Sequence, residues 1–141
     1  MLKPAAIATL LAFGATQVMA QNSTELEQTG TGNVAVLQQI GLVQSSDIAV
    51  SQVGDFNDAS VTQVGESHFN VANLQQTGNL NVATLEQTWR ANTLTASSTG
   101  DGNQLSGSQT GFAVAEITQL AQGYARDARL TVEVEGGGDA S

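Results

Sequence analysis

Polar and aliphatic residues alternate through most of this chain, and the alternation repeats in units of constant composition. Residues 33–41 read Asn-x-Ala-x-Leu-x-Gln-x-Gly, so the constant residues occupy every second position. Successive side chains of a β-strand point to opposite faces, and this period of two therefore predicts a seven-residue strand with one constant face. Helical spacing does not fit these positions. The glycine two residues after the glutamine ends the strand and permits a tight turn.

The unit recurs ten times and diverges toward the C-terminus. The clearest copies begin at Asn33, Asn57, Asn70 and Asn81. Weaker or degenerate copies begin at Asn22, Ser46, Asn92, Asn103, Ala113 and Ala128. Repetition at a short period is the sequence signature of a repeat protein, in which each unit buries its apolar face against its neighbours.

The connections between units predict how the strands are arranged. From the glutamine position of one unit to the first position of the next, the distances are 5, 7, 5, 7, 5, 5, 5, 4 and 9 residues. The early alternation of short and long connections indicates that two strands make one coil. The predicted fold class is all-β, a β-solenoid of about five two-stranded coils that form two facing parallel sheets. An antiparallel meander is the other arrangement, but it would not need identical residues in one column.

Stacked coils place like residues above one another, which accounts for the residue types of the constant face. Alanine and then leucine or valine form the inner columns, and they let two sheets approach to about 10 Å without voids. A buried amide without a partner costs about 1–3 kcal/mol, but amides stacked about 4.8 Å apart bond to the copies above and below. We predict one glutamine column in each sheet, with Gln28, Gln52, Gln76 and Gln119 in one and Gln39, Gln63, Gln87 and Gln109 in the other.

Composition limits the chemistry that this chain can perform. The 141 residues include no cysteine and one histidine, His68, which excludes disulfides and thiolate metal sites and disfavours a catalytic triad. With 13 acidic and 4 basic residues the formal net charge is −9, which disfavours nucleic-acid binding. The segment around Asp101 does not meet a calcium-loop pattern and is interpreted as a turn. We predict no enzymatic activity, no catalytic or metal-binding residue, no cofactor and no small-molecule substrate.

The two ends of the chain are predicted to lie outside the repeat. Residues 1–20 combine Lys3 with an apolar run and end in small residues at Ala20, a pattern typical of a secretory signal peptide cleaved after Ala20. A membrane-spanning helix is the alternative, but the run is shorter than the roughly 20 apolar residues that a span requires. Residues 21–136 form the predicted solenoid, and residues 137–141 form a short flexible tail.

The repeated pattern Asn-x-Ala-x-x-x-Gln-x-Gly, alternating with a variant that begins at serine or asparagine, resembles the curlin repeat over about residues 22–136. Curlins are the secreted subunits of bacterial curli, the extracellular functional amyloid fibres of biofilms. The resemblance implies a surface-attached fibre subunit that polymerises by cross-β stacking. It also implies a paired curlin subunit, an outer-membrane secretion pore and a periplasmic chaperone as partners. The polymerisation residues that it implies are Gln28, Asn33, Gln39, Gln52, Asn57, Gln63, Asn70, Gln76, Asn81, Gln87, Asn92, Asn103 and Gln109.

Several positions depart from the curlin pattern. Trp89 stands at a glycine position, Ser98 and Val134 stand at glutamine positions, and Ala113 stands at an asparagine position. The family's major subunit usually carries a glycine-rich segment before its first repeat, whereas here the first strand begins almost at the predicted cleavage site. Uniform early repeats and a charged last coil favour the minor, nucleating subunit, and the major subunit remains the alternative.

The ends of the stack predict self-assembly. The first strand lacks the prolines, lysines and bulges that protect a sheet edge, and head-to-tail addition of copies gives a filament. If the stack continues in register, Glu116 of one copy lies over Glu25 of the next, and like charges in register are destabilising. Glu25→Gln or mildly acidic pH is therefore predicted to speed assembly.

A monomeric secreted β-solenoid that binds a surface, such as an ice-binding protein, is the alternative function. Thr93, Thr95 and Thr99 would give one strand a row of hydroxyl groups. Surface binding of this kind needs the same residues on successive coils, but the positions one coil earlier hold Val71, Asn73 and Thr77.

Overall fold

The structure is a computed structural model of the chain, and it describes residues 7–12, 22–41, 45–65, 68–111, 113–120, 129–135 and 138–140. These residues form strands and turns, and no helix among them is long and apolar enough to cross a membrane. The strands are β1 (Ile7–Ala12), β2 (Ser23–Thr29), β3 (Val34–Ile40), β4 (Asp47–Val53), β5 (Asp58–Val64), β6 (Val71–Thr77), β7 (Val82–Thr88), β8 (Thr93–Thr99), β9 (Gln104–Thr110), β10 (Ala113–Leu120), β11 (Arg129–Glu135) and β12 (Gly138–Ala140).

The strands lie in two parallel sheets, and odd-numbered and even-numbered strands separate completely. Sheet A has the order β1-β3-β5-β7-β9-β11, and sheet B has the order β2-β4-β6-β8-β10-β12. Consecutive strands therefore belong to opposite sheets, and the pairs from β2 and β3 to β10 and β11 stack as successive coils. This confirms the predicted all-β solenoid of two facing parallel sheets.

The core consists of the predicted aliphatic columns. In sheet A, Ala35 pairs with Ala59 and Ala59 with Ala83, while leucine and valine form the column two residues further on. Small and medium aliphatic side chains recur here because each column stacks like residues directly above one another. The buried hydrophobic residues are Ala35, Leu37, Ile48, Val50, Ala59, Val61, Ala72, Leu74, Ala83, Leu85, Leu94, Ala96, Leu105 and Ala115.

Strands β2 to β9 and β11 begin one residue later than the repeat unit predicts, whereas β10 begins at Ala113, the first residue of its unit. The asparagine that opens a unit lies at the corner before the strand, as Asn33 does before β3. Its position follows from its hydrogen bonds, because the backbone N–H of Asn57 donates to the side-chain Oδ1 of Asn33 at 2.9 Å. The first residue of the unit is therefore a corner residue, and the strand extends one residue past the glutamine.

Both ends of the chain join the stack, which differs from the expectation that they lie outside it. Strand β1 lies within the predicted signal peptide and pairs with β3, so that Ala8 aligns with Ala35 and Leu10 with Leu37. This pairing follows from the alternation in β1, which continues the alanine and leucine columns onto the open edge of sheet A. At the other end, β12 pairs with Ala113–Ala115, so part of the predicted flexible tail is a strand. The signal peptide itself stays a prediction.

Glycines form a stacked corner that connects sheet B to sheet A. Gly54 has a φ of +117°, and a Cβ atom at this position would lie 2.0 Å from the carbonyl oxygen of Gly78 in the next coil. The backbone N–H of Gly54 also donates to the Thr29 carbonyl at 2.9 Å, which fixes the distance between coils. A side chain at this corner would therefore force the coils apart.

Gly54→Ala is expected to destabilise the fold more than Gly65→Ala. Gly65 has a φ of +98°, but a Cβ atom there would contact nothing within 4 Å. Both substitutions cost about 1–3 kcal/mol of backbone strain, and Gly54→Ala adds an overpacking cost of about 1–3 kcal/mol. Urea unfolding of freshly prepared monomer measures the difference, and equal losses for the two variants would contradict the stacked-corner explanation.

Candidate functional site

The residues that the curlin resemblance assigns to polymerisation all lie inside the stack. Every one of them is buried except Gln28 and Gln39, which are half-buried in the first coil. The glutamines occupy one column in each sheet, and the asparagines occupy the two rows of corners. The structure thus brings the predicted residues together in shared columns within one chain, while their part in polymerisation stays a prediction.

The glutamine side chains form two ladders that run in one direction. In sheet A, the Nε2 of Gln39 donates to the Oε1 of Gln63 at 3.0 Å, and Gln63 donates in the same way to Gln87 at 3.0 Å. Gln87 then donates to Gln109 at 2.9 Å. In every case the amino group donates toward the C-terminal end, so the ladder is polar.

The sheet B ladder follows the same rule over its first three members. The Nε2 of Gln28 donates to Gln52 at 2.6 Å, and Gln52 donates to Gln76 at 2.9 Å. The next position of this column holds Ser98, which aligns with Gln76 and with Gln119. Its buried hydroxyl has no hydrogen-bond partner among the described residues, so serine interrupts the ladder.

Five of the glutamines also connect the two sheets, which sequence reasoning did not anticipate: Gln52, Gln63, Gln76, Gln87 and Gln109. The Nε2 of Gln52 in sheet B donates to the Val34 carbonyl of sheet A at 3.0 Å. The Nε2 of Gln63 in sheet A donates to the Asp47 carbonyl of sheet B at 3.0 Å. One amino group thus uses one hydrogen for the ladder and the other for the facing strand, which satisfies a buried group that would otherwise be costly.

The asparagines form ladders of the opposite direction at the corners. The Oδ1 of Asn57 accepts both the backbone N–H and the Nδ2 of Asn81, each at 3.0 Å. The Nδ2 of Asn57 donates in turn to the Gly78 carbonyl at 2.8 Å. The side chain thereby binds the next coil at its glycine corner as well. The last asparagine of this row, Asn103, has a buried Oδ1 without a partner among the described residues.

Two groups of ladder residues were missed by the sequence analysis. Ser46 takes an asparagine position in the other row of corners, and its hydroxyl accepts the Asn70 N–H at 3.1 Å. On the surface, the residue after each corner glycine binds the next coil, as the Asp55 N–H does with the Oδ1 of Asn79 at 2.8 Å. The Oδ1 of Asp101 accepts from the Asn79 N–H at 2.7 Å, which confirms that this segment is a turn. The recurrence of a polar residue directly after glycine was the available signal.

The predicted junction residues lie at opposite ends of one column. The register of sheet B runs from Glu25 through Ala49, Asn73 and Thr95 to Glu116. A second chain that continued this sheet in register would therefore place Glu116 beside Glu25. Direct pairing of the whole of β10 with β2 of a neighbour is not possible in this conformation, because β12 already pairs with Ala113–Ala115. The junction prediction is corrected to that extent.

The turns and surfaces offer little that resembles a catalytic or metal site. No group of three or more histidine, cysteine, aspartate or glutamate side chains lies together in the part of the chain that the structure describes. His68 lies in a turn, where its carbonyl accepts the Ala91 N–H at 2.7 Å. Trp89 replaces a corner glycine, has a φ of +76° and lines a cleft of about 280 Å³ with Gly65, Thr88 and Arg90.

No family model, no curated protein and no solved structure was found to match this chain. Function is therefore argued from the repeat, the ladders and the stack ends.

Gln76→Leu is expected to destabilise the fold, and the neighbouring Gln75→Leu provides the matched control. Gln76 is buried and accepts from Gln52, and its own Nε2 donates to the Asp58 carbonyl at 3.2 Å. Leucine would leave both partners unsatisfied, at a cost of about 1–3 kcal/mol. Gln75 is exposed on the outer face, so its replacement should change stability by less than about 0.5 kcal/mol. Equal unfolding midpoints in urea for the two variants would show that the ladder does not stabilise the stack.

Proposed function

We propose that this protein is a secreted structural subunit of curli-type extracellular amyloid fibres, which it forms by β-stacking of its coils. The observation that carries the proposal is the amide ladder of sheet B, whose first member, Gln28, donates to Gln52 but has no described strand beneath it in that sheet. The ladder runs from Gln28 through Gln52 to Gln76, and an amide beneath Gln28 would extend it. An amide ladder that is open at one end favours a growing filament over a closed assembly of fixed size.

The backbone at the N-terminal end of sheet B supports the same proposal. Strand β2 pairs with β4 on one side, and no described strand pairs with its other side. Its outer residues Ser23, Glu25, Glu27 and Thr29 are exposed and include no lysine or proline. An unprotected parallel edge with a fixed register is a template for another chain. The same geometry repeated through a fibre gives the cross-β spacing of about 4.7 Å.

Export and partners belong to the same proposal. The signal-peptide pattern of residues 1–20 and the curlin resemblance support secretion and an extracellular location on the bacterial surface. They also support an outer-membrane secretion pore, a periplasmic chaperone and a paired curlin subunit as partners. The role is structural, without catalysis, cofactor or nucleic acid. The subunit acts as a major or a nucleating component of the fibre.

The register of sheet B argues against the ice-binding alternative. Thr93 aligns with Val71 on one side and with Val114 on the other, and Thr95 aligns with Asn73 and Glu116. The hydroxyl row is therefore confined to β8. A flat, repeated hydroxyl surface is lacking on the outer face of this sheet among the described residues.

Incubation of the purified chain without residues 1–20 tests the fibre proposal. The expected result is sedimentable fibres whose diffraction has a meridional reflection near 4.7 Å, because parallel strands in register repeat at this distance. The full chain, in which β1 covers the edge of β3, is expected to assemble more slowly. A sample that stays monomeric by sedimentation at high concentration would contradict the proposal.

Glu25→Gln is expected to speed assembly by up to about fivefold, since it removes one of two like charges from the junction column, a contact of about 0.2–1 kcal/mol. Glu86→Gln is the control, because Glu86 is also exposed but lies on β7 in the middle of sheet A. Elongation rates measured by light scattering on identical seeds compare the two variants. A rate for Glu25→Gln that matches that of Glu86→Gln would show that Glu25 does not lie at the junction.

A further inference from the structure

The outer face of sheet B carries a groove that crosses four coils along the stack. The groove lies between two columns of outward side chains and has a volume of about 340 Å³, within the range of small-molecule sites. Because a strand rises about 3.3 Å per residue, columns two residues apart are separated by about 6.6 Å. The floor is the backbone of Val50, Leu74 and Ala96, whose side chains are buried in the core. A groove of this shape accommodates one extended chain of methylene groups parallel to the stack axis.

The walls of the groove repeat at the height of one coil. One column contains Glu25, Ala49, Asn73 and Thr95, and the other contains Glu27, Ser51, Gln75 and Ser97. Each coil therefore presents at least one side-chain oxygen atom that can accept a hydrogen bond. Successive coils lie about 4.8 Å apart. A ligand that matches the groove carries hydrogen-bond donors at this spacing, with apolar segments between them.

The charge of the groove is negative at its N-terminal end. The carboxylates of Glu25 and Glu27 are exposed, and neither has an ion pair or a hydrogen bond among the described residues. The described residues that line the groove include no lysine or arginine. The groove therefore favours a cationic ligand and repels an anionic one.

We propose that this groove binds a linear aliphatic polyamine with one protonated amine at each coil. An extended three-carbon spacer separates two amines by about the height of one coil, which is about 4.8 Å. The ammonium group at the first coil pairs with Glu25 and Glu27. The ammonium groups at the following coils donate to Ser51, Gln75 and Ser97, and the methylene groups lie over the backbone floor. The site is complete within one chain and does not depend on the fibre proposal.

Equilibrium dialysis of a tetraamine with three trimethylene spacers tests the site, because dialysis measures binding to monomer and to assembled chain alike. The freshly prepared full chain is suitable, since β1 pairs in sheet A and leaves this face of sheet B uncovered. The expected result is one saturable site per chain. A tetraamine with three pentamethylene spacers carries at least the same charge at a longer spacing. It should bind at least about threefold more weakly, because its amines cannot all face a coil and one or more charged contacts are lost.

Two double variants of equal net charge test the role of the carboxylates. Glu25→Gln, Glu27→Gln should weaken binding of the trimethylene tetraamine by about threefold to tenfold, since two exposed ion pairs are lost. Asp58→Asn, Glu86→Gln is the matched control, because it removes the same charge from exposed positions on the outer face of sheet A. The control should bind as the unmodified chain does.

Two single variants test the groove itself. Ala49 is half-buried in the groove wall, and Ala49→Leu should abolish binding by filling the space that the methylene chain occupies. Ser60→Leu places the same side chain on the outer face of sheet A and should leave binding unchanged.

The outcomes separate this inference from the fibre proposal. Saturable binding that depends on the spacer, on the two carboxylates and on Ala49 supports the site, whether or not the chain forms fibres. Equal binding of the two tetraamines, or equal losses in the two double variants, would show that the chain attracts polyamines through its net charge alone and would overturn the site. If fibres form but no saturable binding is measured, the polyamine site is overturned and the fibre proposal stands.

Discussion

The hydrogen bonding of buried side-chain amides is the constraint on which the whole stack depends. A buried amide that lacks partners costs about 1–3 kcal/mol, and this chain buries glutamines and asparagines in every coil from β3 to β9. A copy of the same residue one coil away offers the matching donor and acceptor at the right distance, as Gln63 does for Gln39. Like residues therefore stack on like, which fixes parallel strands and in-register pairing, while the coil length changes from 24 residues between Gln63 and Gln87 to 22 between Gln87 and Gln109.

The remaining sequence features follow from that spacing. Two sheets held together by glutamine side chains, such as Gln52 to Val34 and Gln63 to Asp47, leave a thin interior that alanine and leucine fill. The corner must turn within the height of one coil, so successive coils approach closely there. A Cβ atom added at Gly54 would lie 2.0 Å from the carbonyl oxygen of Gly78, which is why this position requires glycine. The aromatic residues Phe56 and Trp89 are exposed at the corners, and Trp89 stands in the corner row of Gly65, where a Cβ atom would meet nothing within 4 Å.

A ladder of this kind has two ends, and in one chain these ends cannot satisfy each other. The hydrogen-bonded ladder is complete in the early coils and weaker toward the C-terminus, where the buried oxygen atoms of Ser98 and Asn103 find no partner within the described part of the chain. The first coil keeps a glutamine in each sheet, whereas the last coil holds Val134 at a glutamine position. This asymmetry connects the fold to the proposed function, because the regular end of the stack is also the end with the open edge of β2.

The sequence alone determined the strands of the repeat, the two sheets and the inward columns. The alternation with a period of two and the recurring glutamine can be read directly from the order of the residues along the chain. Thirteen ladder residues were named from the repeat and lie in the predicted columns. Only the tertiary structure decided where the second amide hydrogen goes, since the bond from Gln63 to Asp47 joins residues of facing sheets that no repeat pattern relates. It also decided that Ile7–Ala12 and Gly138–Ala140 pair with the stack. The backbone groups at the edges of β3 and β10 can form hydrogen bonds with other extended segments, and the repeat pattern does not specify which segments these are.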